Sequence, residues 1–296
     1  MDGLRRPSLH RTQTAELSPD NLNAMQVSVA ILTLNEEADL PACLQSLAGI
    51  DDIHVVDSGS TDRTREIAQS RGAAVHSHPF KSFGDQRNWT LDNVRFKHAW
   101  ILFLDADEQA TPAFLSALAR ATDDAPPEVA GFYCCWKLML YGRWLRFSDR
   151  FPRWQFRLLR AGRARFKDFG HGQKEDAIDG RLEYLKEPYL HFAFSKGWKA
   201  WMERHNRYSD KEAADRLRAE VRWGDLFSLH GSRRAIALKP MLSRVPLWPA
   251  FFFLAAYFLR LGFLDGVAGF QYAACMSFYE YLIQLKMYEA RRRSAV

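Results

Sequence analysis

The chain has 296 residues, 47% hydrophobic and 14% aromatic, with a net charge of +6. That length holds one large domain, or one domain with an appendage, and the apolar content allows a sizeable core. Cys43, Cys134, Cys135 and Cys275 have neither metal-ligand spacing nor a disulfide pattern, which excludes a cysteine-held fold, and the positive charge favours an anionic partner: phosphorylated substrate, acidic lipid surface or nucleic acid.

Residues 1–24 are polar, carry Arg5, Arg6 and Arg11, and are expected to form a disordered tail without a secretory signal. Residues 27–34 are mostly apolar and β-branched and read as a first strand, followed by Asn35-Glu36-Glu37. Leu40, Cys43, Leu44 and Leu47 then share one helix face. Residues 53–56 form a second strand ending on Asp57, and Ser60 or Thr61 is expected to cap a helix over residues 62–71. A third strand follows at 73–76, a loop at 79–85 and a short helix at 86–94. Trp100-Ile101-Leu102-Phe103-Leu104 is long enough for a strand buried on both faces, and it stops at Asp105, Asp107 and Glu108. If the strand stays extended, Asp105 and Asp107 point to one side. Thr111-Pro112 opens a helix to about residue 121. This alternation predicts an α/β fold with parallel βαβ units and a doubly wound sheet. Strand ends in such a sheet converge on one crevice, where Glu36, Asp57, Asp105 and Asp107 would meet.

Beyond Pro126-Pro127 a strand is expected at 131–136. Residues 141–165 interleave arginines, Arg157 among them, with aromatics, and are read as a face for a phosphorylated or glycan acceptor. A polar helix is predicted over 195–222. Residues 247–264 approach membrane-spanning length but contain Pro249 and Arg260. In the next segment Val267, Phe270, Ala274, Phe278, Tyr281, Leu285 and Tyr288 make an apolar stripe, with Gln271, Glu280 and Gln284 elsewhere. Arg233, Arg234, Lys239 and Arg244 precede this pair and Arg291-Arg292-Arg293 follow it. We expect a peripheral or re-entrant hairpin on an anionic membrane surface; a soluble helical subdomain is the alternative.

Taken together, the segments 27–37, 55–64, 84–92 and 101–108 resemble, in order and spacing, the family 2 glycosyltransferases. The resemblance implies a GT-A fold: a Rossmann-like, doubly wound mixed sheet. It also implies a nucleotide-sugar donor, specifically a UDP-sugar, Mg²⁺ or Mn²⁺ on Asp105 and Asp107, and inversion at the anomeric carbon. Segments 169–175, 190–197 and 201–213 resemble bacterial envelope members such as lipopolysaccharide core glucosyltransferases. These imply a lipid-linked glycan acceptor rather than nucleic acid, and a site at the cytoplasmic face of the inner membrane. The expected donor contacts are Asn35, Glu36, Asp57, Gln86, Arg87, Asn88, Asp105 and His171, with Arg87 touching the diphosphate. Glu36 either binds the nucleotide or caps its helix. Inversion needs a base for the acceptor hydroxyl, for which Glu175 and then Asp176 are the candidates. The expected division is tail 1–24, catalytic domain 25–195, helical acceptor or linker region 196–244, and membrane-associating helices 245–296. A polyprenyl-phosphate glycosyltransferase and a non-catalytic nucleotide-binding membrane scaffold are the alternatives.

Overall fold

The computed structural model describes residues 25–169, 172–219, 238 and 241–294. The expected tail, His171, Arg233, Arg234 and Lys239 lie outside the described residues. Strands β1 (Val27–Thr33), β2 (Ile53–Asp57), β3 (Ala74–Ser77) and β4 (Trp100–Asp105) run parallel in the order β3-β2-β1-β4. Helices α1 (Leu40–Ser46), α2 (Thr64–Ser70) and α3 (Phe83–Asn93) connect them. Residues 100–104 of β4 are each at most 3% exposed, as a strand covered on both faces requires.

The second half of the sheet is mixed. It is built from β5 (Glu108–Gln109), β6 (Val129–Leu140), β7 (Arg143–Trp144), β8 (Trp154–Arg160) and β11 (Arg181–His191). The order continues β4-β8-β6-β11-β5, with β7 on β6. Strand β8 is antiparallel to both β4 and β6, while β11 is parallel to β6. Part of the run read as an acceptor face is therefore a central strand, in which Phe156, Arg157, Leu158 and Leu159 are all buried. Helix α4 (Pro112–Asp123) precedes β6, and Thr111 Oγ1 caps it by accepting the Phe114 N–H at 3.0 Å.

A separate hairpin, β9 (Ala164–Phe169) with β10 (Gly172–Ile178), packs on α3. Helix α3 starts three residues before the expected Gln86, because Ser82 Oγ accepts the Asp85 N–H at 3.1 Å. A Cβ on Gly84 would stand 3.0 Å from both Asp168 Oδ1 and the Lys167 carbonyl carbon, so glycine lets helix and hairpin approach. The expected Ser60 or Thr61 cap of α2 does not form, since Ser60 turns to Asp57 and the Thr61 hydroxyl to Asn35.

The C-terminal third adds helices to one end of the sheet. They are α5 (Gly197–Arg218), α6 (Trp248–Leu254), a π turn (Ala255–Leu259), a 3₁₀ turn (Gly262–Asp265) and α7 (Gly266–Ser294). Trp201 and Ala213 of α5 join Tyr272, Ile283 and Met287 of α7 and Leu138 of β6 in one apolar cluster. Arg216 forms a buried bidentate pair with Glu280, at 2.7 and 3.0 Å. Asp265 accepts the backbone N–H groups of Arg146, Phe147 and Ser148 at 2.7 to 3.1 Å. The stripe of α7 has the expected spacing, but its polar residues do not face water. Glu280 is buried, and Gln284 donates to the Ser243 and Val245 carbonyls, so the protein takes the polar side and the apolar stripe lies outside.

Candidate active site

Asp57, Asn35 and Asp105 stand at the carboxyl ends of β2, β1 and β4. Asp57 is fully buried and accepts from Thr33 Oγ1 at 3.1 Å, from the Gly59 and Ser60 N–H groups at 3.1 and 2.9 Å, and from the Ser60 hydroxyl. It therefore forms the floor of the crevice. The two loops above it are stitched together. Asn35, whose φ is +56°, donates its N–H to Ser60 Oγ at 2.8 Å and accepts the Thr61 N–H at 2.8 Å. The Glu36 N–H donates to Thr64 Oγ1 at 2.7 Å, the Glu37 N–H to Asp62 at 3.1 Å, and the Arg63 N–H to Glu37 at 3.1 Å.

Beyond Asp105 the chain does not stay extended. Ala106 and Asp107 form a turn, so Asp105 and Asp107 have different surroundings. Arg157 reaches both Asp105 oxygens, at 3.2 and 2.6 Å, and Arg87 adds a contact at 3.3 Å. Burial disfavours charge on Asp105, but the two guanidinium groups outweigh it and hold its pKa well below the carboxylate range. Arg157 also meets Glu108 at 2.6 Å, and Tyr189 donates to the same oxygen at 3.1 Å. The other Glu108 oxygen accepts the Asp105 N–H at 2.9 Å, which closes the turn. Burial and Asp105 push Glu108 up to about 7 despite Arg157. The two carboxylates of the expected metal clamp are thus held differently. Asp105, whose side chain is 37% exposed, is held by two arginines, and Asp107, whose side chain is 19% exposed, faces His191 at 3.4 Å. Burial opposes the His191 imidazolium, but Asp107 raises its pKa overall.

Glu36 and Lys196 form the opposite wall. The Lys196 ammonium binds Glu36 and the Asn35 carbonyl, each at 2.7 Å. Glu36 Oε2 is buried without a partner, and burial raises the carboxyl to about 7 against the pull of Lys196. The Asp39 and Leu40 N–H groups go to its backbone carbonyl, so the carboxylate is not a helix cap.

Several expected contacts lie elsewhere. Arg87 is fully buried, over the Phe103 and Phe166 rings at 5.5 and 5.8 Å, with its guanidinium on Asp105. Asn88 clamps the Phe166 backbone with both ends of its amide, at 2.8 and 3.0 Å. Gln86 donates to Ser58 Oγ at 3.1 Å, and its own amide oxygen is buried without a partner. Glu175 is hydrogen-bonded to Tyr133, and Asp176 to Lys167 at 2.7 Å. Among the described residues neither acid meets Asp105 or Asp107. Sequence reasoning missed Arg157, Tyr189 and Lys196 as site residues. Arg157 carries one signal, an arginine set within the strand-like Trp154-Gln155-Phe156-Arg157-Leu158-Leu159.

The family model described as glycosyl transferase family 2 matches residues 28–168, the segment that supplies Asp57, Asp105, Asp107 and Arg157. The chain carries a family 2 glycosyltransferase domain. This glycosyltransferase is 26% identical over 275 residues to a lipopolysaccharide core biosynthesis glycosyltransferase, LpsC, of Rhizobium meliloti, covering 90% of this chain and 93% of the relative. It is 23% identical over 284 residues to an uncharacterized glycosyltransferase of Rickettsia conorii, covering 91% and 92%. Among solved structures it resembles glucosyl-3-phosphoglycerate synthase of Mycobacterium tuberculosis in complex with phosphoglyceric acid. That match has a TM-score of 0.42 and 17% identity, covering 71% of this chain and 84% of that one.

The donor set of the glycosyltransferase site bears on a divalent cation. Among the described residues no three His, Cys, Asp or Glu side chains form a ready cage. Asp107 has acceptor capacity beyond its single His191 contact, and Glu36 Oε2 is an orphaned buried oxygen coupled electrostatically to Asp107. One or two carboxylates beside substrate phosphates suit Mg²⁺ or Mn²⁺, so the residues fit such an ion through Asp107.

Proposed function

We propose that this glycosyltransferase moves a hexose from a UDP-sugar to a lipid-linked envelope acceptor of the lipopolysaccharide core type, at the cytoplasmic face of the inner membrane. The observation that carries the reading is Asp107, turned into the crevice by a turn that Arg157 and Glu108 fix. The correspondence with LpsC along 93% of that relative supports the acceptor class. A divalent cation on Asp107 would supply positive charge against the departing diphosphate. The chain's own residues prepare the place for it. Arg87 and Arg157 neutralise Asp105, Asp57 builds the floor under the nucleotide, and Lys196 draws the Glu36 loop against the start of α5. The acceptor oxygen attacks the anomeric carbon, the bond to the diphosphate oxygen breaks with its electron pair, and the hydroxyl proton passes to a base.

The test is UDP release screened over UDP-sugars with lipopolysaccharide-containing lipid extract, with and without Mn²⁺ or Mg²⁺. Polyprenyl phosphate serves as the competing acceptor. Chelation is expected to abolish release, and Asp107→Ala to lower it by about a hundredfold or more at unchanged melting temperature. Full activity in folded Asp107→Ala overturns the reading.

A further inference from the structure

Residues 245–294 supply none of the crevice residues described above and present a surface of their own. Val267, Phe270, Phe278, Tyr281, Leu285 and Tyr288 line the outer side of α7, each 45–71% exposed. Before the elbow, Phe251, Leu254, Phe258 and Leu259 are exposed, Leu259 at 83%. Fifteen of the twenty-two large hydrophobic residues exposed among the described residues fall between Val245 and Tyr288. Isolated exposed leucines are ordinary, but a continuous apolar stripe marks a contact surface.

The charges of this region are sorted. Among the described residues of 245–294 there are three acids. Asp265 is filled by the 146–148 amides, Glu280 is buried on Arg216, and Glu289 pairs with Arg293. Lys286 binds Asp210 of α5 at 2.6 Å, and the other cations stand at the margins: Arg244 before α6, Arg150 and half-buried Arg260 at the elbow, and Arg291 to Arg293 at the far end. Burial and the neighbouring Arg150 both lower the Arg260 pKa, as expected of two cations close together. No single described helix is long and apolar enough to cross a bilayer, and the two arms reach that length only together, bent by 72°.

We propose that this elbow docks flat on an anionic bilayer leaflet, with the apolar stripe among the acyl chains at the headgroup boundary and the flanking arginines on lipid phosphates. Charge complementarity selects a leaflet over a second copy of the chain. A copy would bring the same cations, and no acid of this region is left to meet them. The proposal deepens the lipid-linked acceptor reading by naming the surface that meets the lipid, but docking itself needs no sugar chemistry.

The test is flotation of the full chain with vesicles of phosphatidylglycerol and phosphatidylethanolamine, with phosphatidylcholine vesicles as control. The wild type is expected to float with the anionic vesicles and to be released in part by about 0.5 M salt. Leu259→Glu with Val267→Glu, both on the outer surface, is expected to cut the bound fraction by about tenfold or more at unchanged melting temperature. The proposal is overturned if the wild type stays unbound, or if the double variant floats as the wild type does. It is also overturned if the wild type is a vesicle-indifferent dimer that the double variant makes monomeric. Flotation without UDP release leaves docking standing and removes the transfer reading. Transfer to a detergent-solubilised acceptor without flotation removes docking alone.

Discussion

Arg157 meets two acids from the middle of a strand, with only 1% of its side chain exposed. Removing it leaves Asp105 with Arg87 alone and the buried Glu108 without an ion-pair partner. Arg157→Met is therefore expected to cost about 3–5 kcal/mol, read by urea unfolding, and to lower transfer even where the protein remains folded. Glu36 gives a different kind of prediction. Its pKa rises from 4.5 in the unfolded chain to about 7 in the fold, so folding takes up a proton between those values. Its contribution to stability is whole below pH 4.5 and is lost as the pH climbs through about 7. Glu36→Gln should flatten that loss and gain up to about 3 kcal/mol on the wild type at alkaline pH. Parallel pH–stability curves for the two proteins would dispose of the burial argument. The acids themselves were legible in the sequence, because each ends an apolar run. Their partners were not. Arg157 lies 52 positions from Asp105, and only the antiparallel insertion of β8 beside β4 brings them together.

At the scale of elements, apolar runs and turn residues placed the first four strands and their helices within a few residues. Of the mixed half of the sheet, β6 was anticipated in part, and β8 and β11 were hidden. Strand β11 reads Arg-Leu-Glu-Tyr-Leu-Lys-Glu-Pro-Tyr-Leu-His, too polar and too interrupted to announce a strand that lies inside a sheet. For α7, periodicity fixed which residues share a face but not which face meets protein. The partners of Glu280 and Gln284 decide that, and they come from α5 and from the chain before α6. Loop 145–149 depends on one carboxylate in the same way. Asp265 holds three consecutive amides and the Ser148 hydroxyl, the last at 2.6 Å. Asp265→Ala leaves those donors buried and is expected to cost about 2–3 kcal/mol and to speed hydrogen exchange at Phe147 and Ser148. Unchanged exchange at both amides would show that the loop is held by something else.

For the whole molecule, the buried pair Arg216–Glu280 ties α5 to α7, and α5 begins directly after Lys196, which grips the Glu36 loop. Breaking the pair from one side, as in Arg216→Met, strands the buried Glu280 carboxylate and is expected to cost about 3–5 kcal/mol, whereas Glu280→Met, which leaves Arg216 with Glu212 at 3.4 Å, and Arg216→Met with Glu280→Met should each cost less. Thermal melts of the three variants check this, and a double variant no better than Arg216→Met would count against it. The stitched loops above Asp57 have a consequence for exchange between relatives. The backbone of each loop is bonded to side chains of the other, and Lys196 closes over one of them from 160 residues further along the chain. A graft of residues 34–39 alone would arrive with its hydrogen-bonding partners missing. The transplantable unit is a cassette of both loops together with Lys196, and recombination between homologues would keep those pieces from one parent.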